Sequence, residues 1–141
     1  MMSFRERCAF HEAAHATAAL ILSIPIVSVS LNPPNMHRGH YRAPHDCGLE
    51  YLVTICLSGP IGEELICGTI TDGSDQADYE MAKGYLSRAI ADPLRVGIEL
   101  ARCRVAAERL VSSKFAQDRI AKLAAALLAR GTLSGEEIHG L

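Results

Sequence analysis

The chain has 141 residues, of which 49% are hydrophobic and 21% are charged, a composition that supports a packed core and argues against disorder. Fourteen basic and sixteen acidic residues give a net charge of −2, and there is no tryptophan. Nucleic-acid binders usually need a basic face and aromatic stacking platforms, so the composition argues against that class. We expect a single domain spanning residues 1–141, close to the commonest domain size.

The cysteines indicate a reducing compartment. They are odd in number and form no C-x-x-C pair, whereas a secreted disulfide framework uses an even set in a small, loop-rich chain. The first residues also lack the basic and apolar regions of a signal peptide. We therefore expect a cytoplasmic protein with reduced and mostly buried thiols at Cys8, Cys47, Cys56, Cys67 and Cys103.

A helix followed by a strand is predicted at the start of the chain. Ser3 and Glu6 have the spacing of a capping box and precede an apolar segment that runs to about Ser23. Pro25 prevents the helix from continuing. The apolar and polar residues then alternate over residues 26–31, which is typical of a half-buried strand.

The same region raises the question of a membrane span. Residues 13–37 contain no Asp, Glu, Lys or Arg, and about 20 such residues are enough for a transmembrane helix. However, Pro25 interrupts the stretch, and the alternation after it is that of a strand. We therefore predict no membrane span.

Helices dominate the rest of the chain. Residues 36–48 are polar and predict a loop or an irregular edge strand, and Gly68 is a typical helix C-terminus. Pro60 predicts a kink, or a break into two abutting helices. The fold class is therefore mainly α with a small β-sheet edge. The later helices are predicted at residues 49–67, about 75–91, 94–130 and 134–138.

The sequence His-Glu-Ala-Ala-His at residues 11–15 is an H-E-x-x-H motif on the first predicted helix. Because residues four apart share a helical face, His11 and His15 can bind one metal ion. Glu12 lies one residue further round, where it can accept a proton from a zinc-bound water, whose pKa zinc lowers to about 7. Two histidines and a glutamate on an ordinary helix surface are the alternative interpretation.

A catalytic zinc site usually has a third protein ligand. Three groups of residues could supply it, and spacing alone does not choose among them. The candidates are Asp72, Asp75 and Asp78; the pair Glu63 and Glu64; and the polar group His37, His40, His45 and Cys47.

Residues 11–20 resemble the zinc helix of the FtsH-type metallopeptidases, the protease domain of ATP-dependent membrane-bound zinc proteases. Further segments resemble, in the same order, that domain's edge strand, its helix with paired glutamates, its third-ligand segment and its C-terminal end. These segments are residues 27–31, 57–68, 69–82 and 126–138. The resemblance implies a zincin-like helical metallopeptidase domain with one zinc ion per chain.

The resemblance implies Asp78 as the third ligand, since the family's aspartate stands at the start of a helix. One extra residue after Gly73 keeps Asp75 open as the alternative, although an N-cap is its ordinary role. Glu63 and Glu64 are not expected to bind the metal. Contact of one of them with a histidine ring nitrogen is one interpretation, and a solvated helix face is the other. The group at His37, His40, His45 and Cys47 is expected to border the substrate cleft.

Two departures from the family are visible. The family usually has glycine where this chain has Ala14, a change between small residues. No G-x-x-x-x-G-K-S/T motif occurs, so we expect no intrinsic ATPase and activity on flexible or unfolded polypeptides only. The family's domains assemble into rings, which makes a homo-oligomer one expectation for this chain.

These features predict a zinc-dependent endopeptidase in which Glu12 activates a zinc-bound water to hydrolyse peptide bonds of flexible polypeptides. The first alternative is a catalytically silent zinc-containing adaptor or regulator that binds peptides, against which the presence of Glu12 counts. The second is an intramembrane peptidase, against which Pro25 and the strand-like alternation count.

Overall fold

Six helices and three short strands account for most of the described residues, which are 2–31, 40–41, 48–68 and 74–141 of a computed structural model. The architecture is mainly α-helical with a small antiparallel sheet, as predicted. The elements are α1 (Phe4–Ile21), β1 (Ile26–Ser30), β2 (His40–Tyr41), α2 (Leu49–Cys67), α3 (Ser74–Ala89), α4 (Pro93–Ser112), α5 (Lys114–Arg130), β3 (Thr132–Ser134) and α6 (Gly135–His139).

Helix α1 begins and ends where the sequence predicts. The Ser3 hydroxyl accepts a hydrogen bond from the Glu6 backbone N–H, and the Glu6 carboxylate accepts one from the Ser3 N–H, which completes the capping box. The helix ends at Ile21, before Pro25. Its alanines are almost all buried. These small side chains let α2 and α5 pack closely against it.

The sheet has the strand order β2-β1-β3, with both neighbours antiparallel to β1. Val29 pairs with Leu133, and both side chains are fully buried against the helices. The strand β3 was not predicted, because three residues are too few to show an alternating pattern. It leads directly into α6, whose capping box is formed by Ser134 and Glu137.

Two clusters of buried side chains form the core of the described residues. The first packs α1 against α5 and the sheet, with Val29, Ile120 and Leu133 fully buried. The second lies among α2, α3 and α4. Helix α2 contributes to both, with Ile55 in the first and Val53 in the second. It therefore stands between the two clusters, where it can contact α1 and α3 together.

Helix α2 continues through Pro60 as one element, so the predicted alternative of two abutting helices is wrong. Proline removes a single backbone donor, and residues 53–60 are buried on all sides. Tertiary packing of this kind outweighs local propensity. The helix ends at Gly68, whose positive φ of 78° makes it the predicted C-cap.

The predicted helical region 94–130 is divided at Ser113. This residue ends α4, and its hydroxyl accepts a hydrogen bond from the Ala116 N–H at the start of α5. Asp92 caps α4 in the same way, by accepting from the Leu94 N–H. Within the described ranges, no helix has the length and apolarity needed to cross a membrane.

Four of the five cysteines lie in the described residues, and all four are free thiols, at Cys8, Cys56, Cys67 and Cys103. Cys47 lies outside them. Burial and the nearby charge of Asp78 together raise the pKa of the Cys56 thiol to about 12. Cys56 is therefore protonated at neutral pH in the metal-free protein.

The contact between Ala14 and Gly62 limits how closely α1 and α2 approach. A Cβ atom on Gly62 would lie 2.5 Å from the Ala14 Cβ, closer than such atoms are found in proteins. We expect Gly62→Ala to lower the free energy of unfolding by about 1–3 kcal/mol, through overpacking. Ala14→Gly in the same chain should recover most of that loss, because it removes the colliding methyl group. Denaturant unfolding of the four variants of this cycle measures the effect.

Gly84→Ala is the matched control, since a Cβ on Gly84 meets no atom within 4 Å. Alanine is the better helix former, so this change should stabilise the protein by about 0.5–1 kcal/mol. Equal losses for Gly62→Ala with and without Ala14→Gly would contradict the proposed contact.

Candidate metal centre

His11 and His15 lie on one face of α1, as their spacing predicts. Both are buried, with exposed fractions of 0% and 4%. Their Nε2 atoms are 3.1 Å apart, and the rings meet edge to face at an angle of 73°. The two nitrogens that could bind a metal thus point at the same place.

Asp78 reaches the same place from the second turn of α3. Its Oδ2 atom is 2.7 Å from the His11 Nε2 and 3.2 Å from the His15 Nε2. Three atoms bound tetrahedrally to zinc at about 2.0–2.1 Å stand roughly 3.3–3.4 Å apart. The sides of the observed triangle would therefore each need to lengthen by about 0.1–0.7 Å to hold such an ion.

Asp75 is not part of this cluster. It is exposed at the start of α3 and lines a separate cleft of about 640 Å³ between α2, α3 and α4. Asp78, by contrast, is 8% exposed. Of the two aspartates that the sequence left open, the fold brings Asp78 to the histidines. Asp72 lies outside the described residues.

The outer nitrogen of each histidine has its own acceptor on α2. The His11 Nδ1–H donates to Glu63 Oε2 at 2.8 Å, and the His15 Nδ1–H donates to the Ile55 carbonyl at 2.7 Å. A carbonyl can only accept, so in neutral His15 the proton is on Nδ1 and the lone pair is on Nε2. Contacts of this kind orient the imidazoles of metal sites.

The prediction that one of the paired glutamates contacts a histidine ring is confirmed for Glu63, which is fully buried. Glu64 is exposed and lines the same cleft as Asp75. The Ile55 carbonyl was not found from the sequence, because a backbone acceptor has no side-chain signature. A glycine beside Pro60 in an apolar helix was the available sign of a close approach.

Glu12 is fully buried next to His11 on α1. The donor atoms of His11, Glu12 and His15 lie within 4.8 Å of one another, a group able to hold a metal ion. The Glu12 carboxylate therefore lies beside the two imidazoles. This is the position that the H-E-x-x-H spacing predicts for it.

The charges of the cluster favour a positive ion at its centre. In the metal-free protein, burial lowers the pKa of His11, but hydrogen bonds to Asp78 and Glu63 outweigh this and raise it to about 9. Burial also lowers the pKa of His15, but the charge of Asp78 gives a net rise. Burial raises the pKa of Asp78, yet the His15 charge and the His11 hydrogen bond hold it well below its ordinary value.

Solvent reaches the cluster from one side. The side chains of His11 and Glu63 are fully buried, whereas those of His15 and Asp78 are 5% and 11% exposed. His40 lies in β2, but its side chain is outside the description, as are His37, His45 and Cys47. Their predicted place beside a substrate cleft stays a prediction.

No family model matches the chain. A curated protein named ATP-dependent zinc metalloprotease FtsH, from Thermobaculum terrenum, is 33% identical to it over 81 residues. The match covers 50% of this chain and 12% of the relative. The chain thus has a distant and partial link to FtsH. This link agrees with the His-Glu-x-x-His arrangement of the cluster.

The raised pKa of His11 predicts how stability depends on pH. Folding raises this pKa from 6.5 to about 9. The protonated His11 therefore contributes fully to the free energy of unfolding below pH 6.5, and this contribution is lost as the pH rises through 9. We expect the metal-free protein to lose on the order of 1–3 kcal/mol of unfolding free energy over this range. Urea unfolding at a series of pH values in the presence of a chelator measures it.

Two variants test the assignment of this effect to His11. Glu63→Gln removes one of the acceptors that raise the pKa and should make the loss smaller. His11→Gln removes the titrating group and should abolish this contribution. If both variants still lose the full amount of unfolding free energy as the pH rises, a group other than His11 causes the loss.

Proposed function

We propose that the chain is a zinc-dependent endopeptidase domain that holds one zinc ion with His11, His15 and Asp78. The observation that carries this proposal is the meeting of three donor atoms, two imidazole nitrogens and one carboxylate oxygen, within 3.2 Å of one another. Two nitrogens and one oxygen are a common catalytic donor set for zinc. Such an ion would lower the pKa of a bound water and polarise the peptide carbonyl.

Glu12 is the proposed general base. Its carboxylate is buried beside the histidines and lies within 4.8 Å of their donor atoms. It would accept the proton of the attacking water and pass it on to the leaving amine nitrogen. One carboxylate can serve both steps, because the group that accepts the first proton is the acid for the second.

Glu63 and the Ile55 carbonyl would hold the two imidazoles in place while the proton moves. Both accept from an Nδ1–H, which leaves the Nε2 lone pairs directed at the centre. Fixed ligands reduce the reorganisation that the reaction requires. We assign these two groups a positioning role.

The proposed substrate is a flexible or unfolded polypeptide. The opening beside His15 and Asp78 exposes only a small part of two side chains, which suits one extended chain better than a folded surface.

Zinc content tests the proposed ligands. Metal-replete wild-type protein should hold about one zinc per chain, and Asp78→Ala should lose it or bind it much more weakly. Asp75→Ala is the matched control and should keep full occupancy, because Asp75 lines the other cleft. Metal analysis after dialysis measures all three proteins. Full occupancy in Asp78→Ala would remove this residue from the site.

Glu12→Gln tests the proposed base. The amide keeps the shape of the side chain but cannot accept the proton, so cleavage of unfolded casein should slow by roughly 10²–10⁴-fold. Zinc content should remain that of the wild type, because Glu12 is not a proposed ligand.

The alternative, a zinc-containing adaptor or regulator that binds peptides without cleaving them, is favoured by the burial of the cluster. Structural zinc sites are closed, whereas catalytic sites keep an open position. A wild-type protein that holds zinc but does not cleave casein, with Glu12→Gln unchanged, would support the adaptor.

A further inference from the structure

Gly59 lies in the middle of α2, directly against the imidazole of His15. A Cβ atom on Gly59 would overlap the Nε2 and Cε1 atoms of His15 and would stand 2.7 Å from its Cδ2. The atom that it would approach most closely is Nε2, the nitrogen that faces His11 and Asp78. The imidazole of His15 can therefore occupy this position only because residue 59 has no side chain.

The His15 ring touches α2 at two points one turn apart. The Ile55 carbonyl accepts the proton on Nδ1, and Gly59 packs against the face of the ring at Nε2 and Cε1. The hydrogen bond sets the direction of the ring, and the bare backbone at residue 59 sets how close the ring can lie. A side chain at residue 59 would push Nε2 away from its partners while Ile55 still held Nδ1.

The helix gains nothing else from this glycine. Glycine is a poorer helix former than alanine, because it loses more backbone freedom on folding. Gly59 is not among the residues with positive φ, so its backbone conformation suits any residue. Its reason for being glycine is therefore steric, and the group that imposes the constraint is His15.

We propose that Gly59 is a positioning residue that keeps the His15 Nε2 in register with the His11 Nε2 and Asp78 Oδ2. This inference rests on the proposed zinc site for what the nitrogen binds, but the contact itself exists in the metal-free protein. It makes Gly59 a requirement for metal affinity even though glycine has no side chain that could bind the metal.

The first test is a thermal unfolding cycle in the presence of a chelator, without any metal. Gly59→Ala should lower Tm in the wild-type background, because the methyl group collides with the imidazole. In the His15→Ala background the same change should raise Tm, because the collision is gone and alanine favours the helix. A lowered Tm in both backgrounds would overturn the proposal.

A matched glycine separates this effect from general crowding. Gly62→Ala meets the Ala14 Cβ at 2.5 Å and makes no contact with His15 within 4 Å. It should therefore lower Tm in both the wild-type and the His15→Ala backgrounds. If Gly59→Ala alone is unfolded, adding His15→Ala should restore a cooperative transition, and failure to restore it would count against the contact.

The second test is zinc affinity, measured by competition with a chromophoric chelator on folded protein. Gly59→Ala should raise the Kd for zinc by roughly 10–100-fold, the usual effect of changing a group that orients a ligand. Gly84→Ala, where nothing lies within 4 Å, should leave the Kd unchanged. An unchanged Kd in Gly59→Ala would overturn the role of Gly59 in metal binding.

The two tests fail differently. If wild-type protein binds no zinc, the proposed function is wrong, and the sign change in the thermal cycle still decides whether Gly59 positions His15. If wild-type protein binds zinc and the sign change is absent, the zinc site stands and the inference about Gly59 falls.

Discussion

The close approach of α1 to α2 is the constraint on which the candidate metal centre depends. Gly62 faces Ala14 and Gly59 faces His15, so α2 contributes no side chain between the two helices at these points. Helices that present larger side chains pack further apart. The contacts of His11 with Glu63 and of His15 with Ile55 are 2.8 and 2.7 Å long. Hydrogen bonds of this length would not survive a wider spacing.

This spacing brings negative charge into the interior. Glu12 and Glu63 are fully buried, and Asp78 is nearly so. Burying charged groups is unfavourable unless a partner compensates them. The two histidines are the compensating groups in the metal-free protein, and a divalent cation at the Nε2 atoms would compensate more completely. Both the charges and the geometry of the cluster thus favour a divalent cation at its centre.

The parts of the site that follow from helical periodicity could be predicted from the sequence. His11 and His15 share a face because they are four residues apart, and Ser3 with Glu6 marks where their helix begins. Asp78 could not be separated from Asp75 by spacing, because which of them faces α1 depends on how α3 docks. The sequence contained no pattern for the Ile55 carbonyl, because a backbone acceptor has no side-chain signature. It contained none for β3 either, because three residues are too few to show alternation. The predicted alternative of two abutting helices at Pro60 was wrong, because burial around this residue holds the helix together.

The donors of the cluster are far apart along the chain. Glu63 is 52 residues from His11, and Asp78 is 67 residues from it. Contacts over such separations require the intervening chain to close, at a cost in conformational entropy. A partly folded chain can present the histidine pair on α1 but not the complete set of donors. If the chain is a peptidase, its hydrolytic centre is therefore complete only once α1, α2 and α3 have docked, and the backbone of these helices is then no longer an extended substrate.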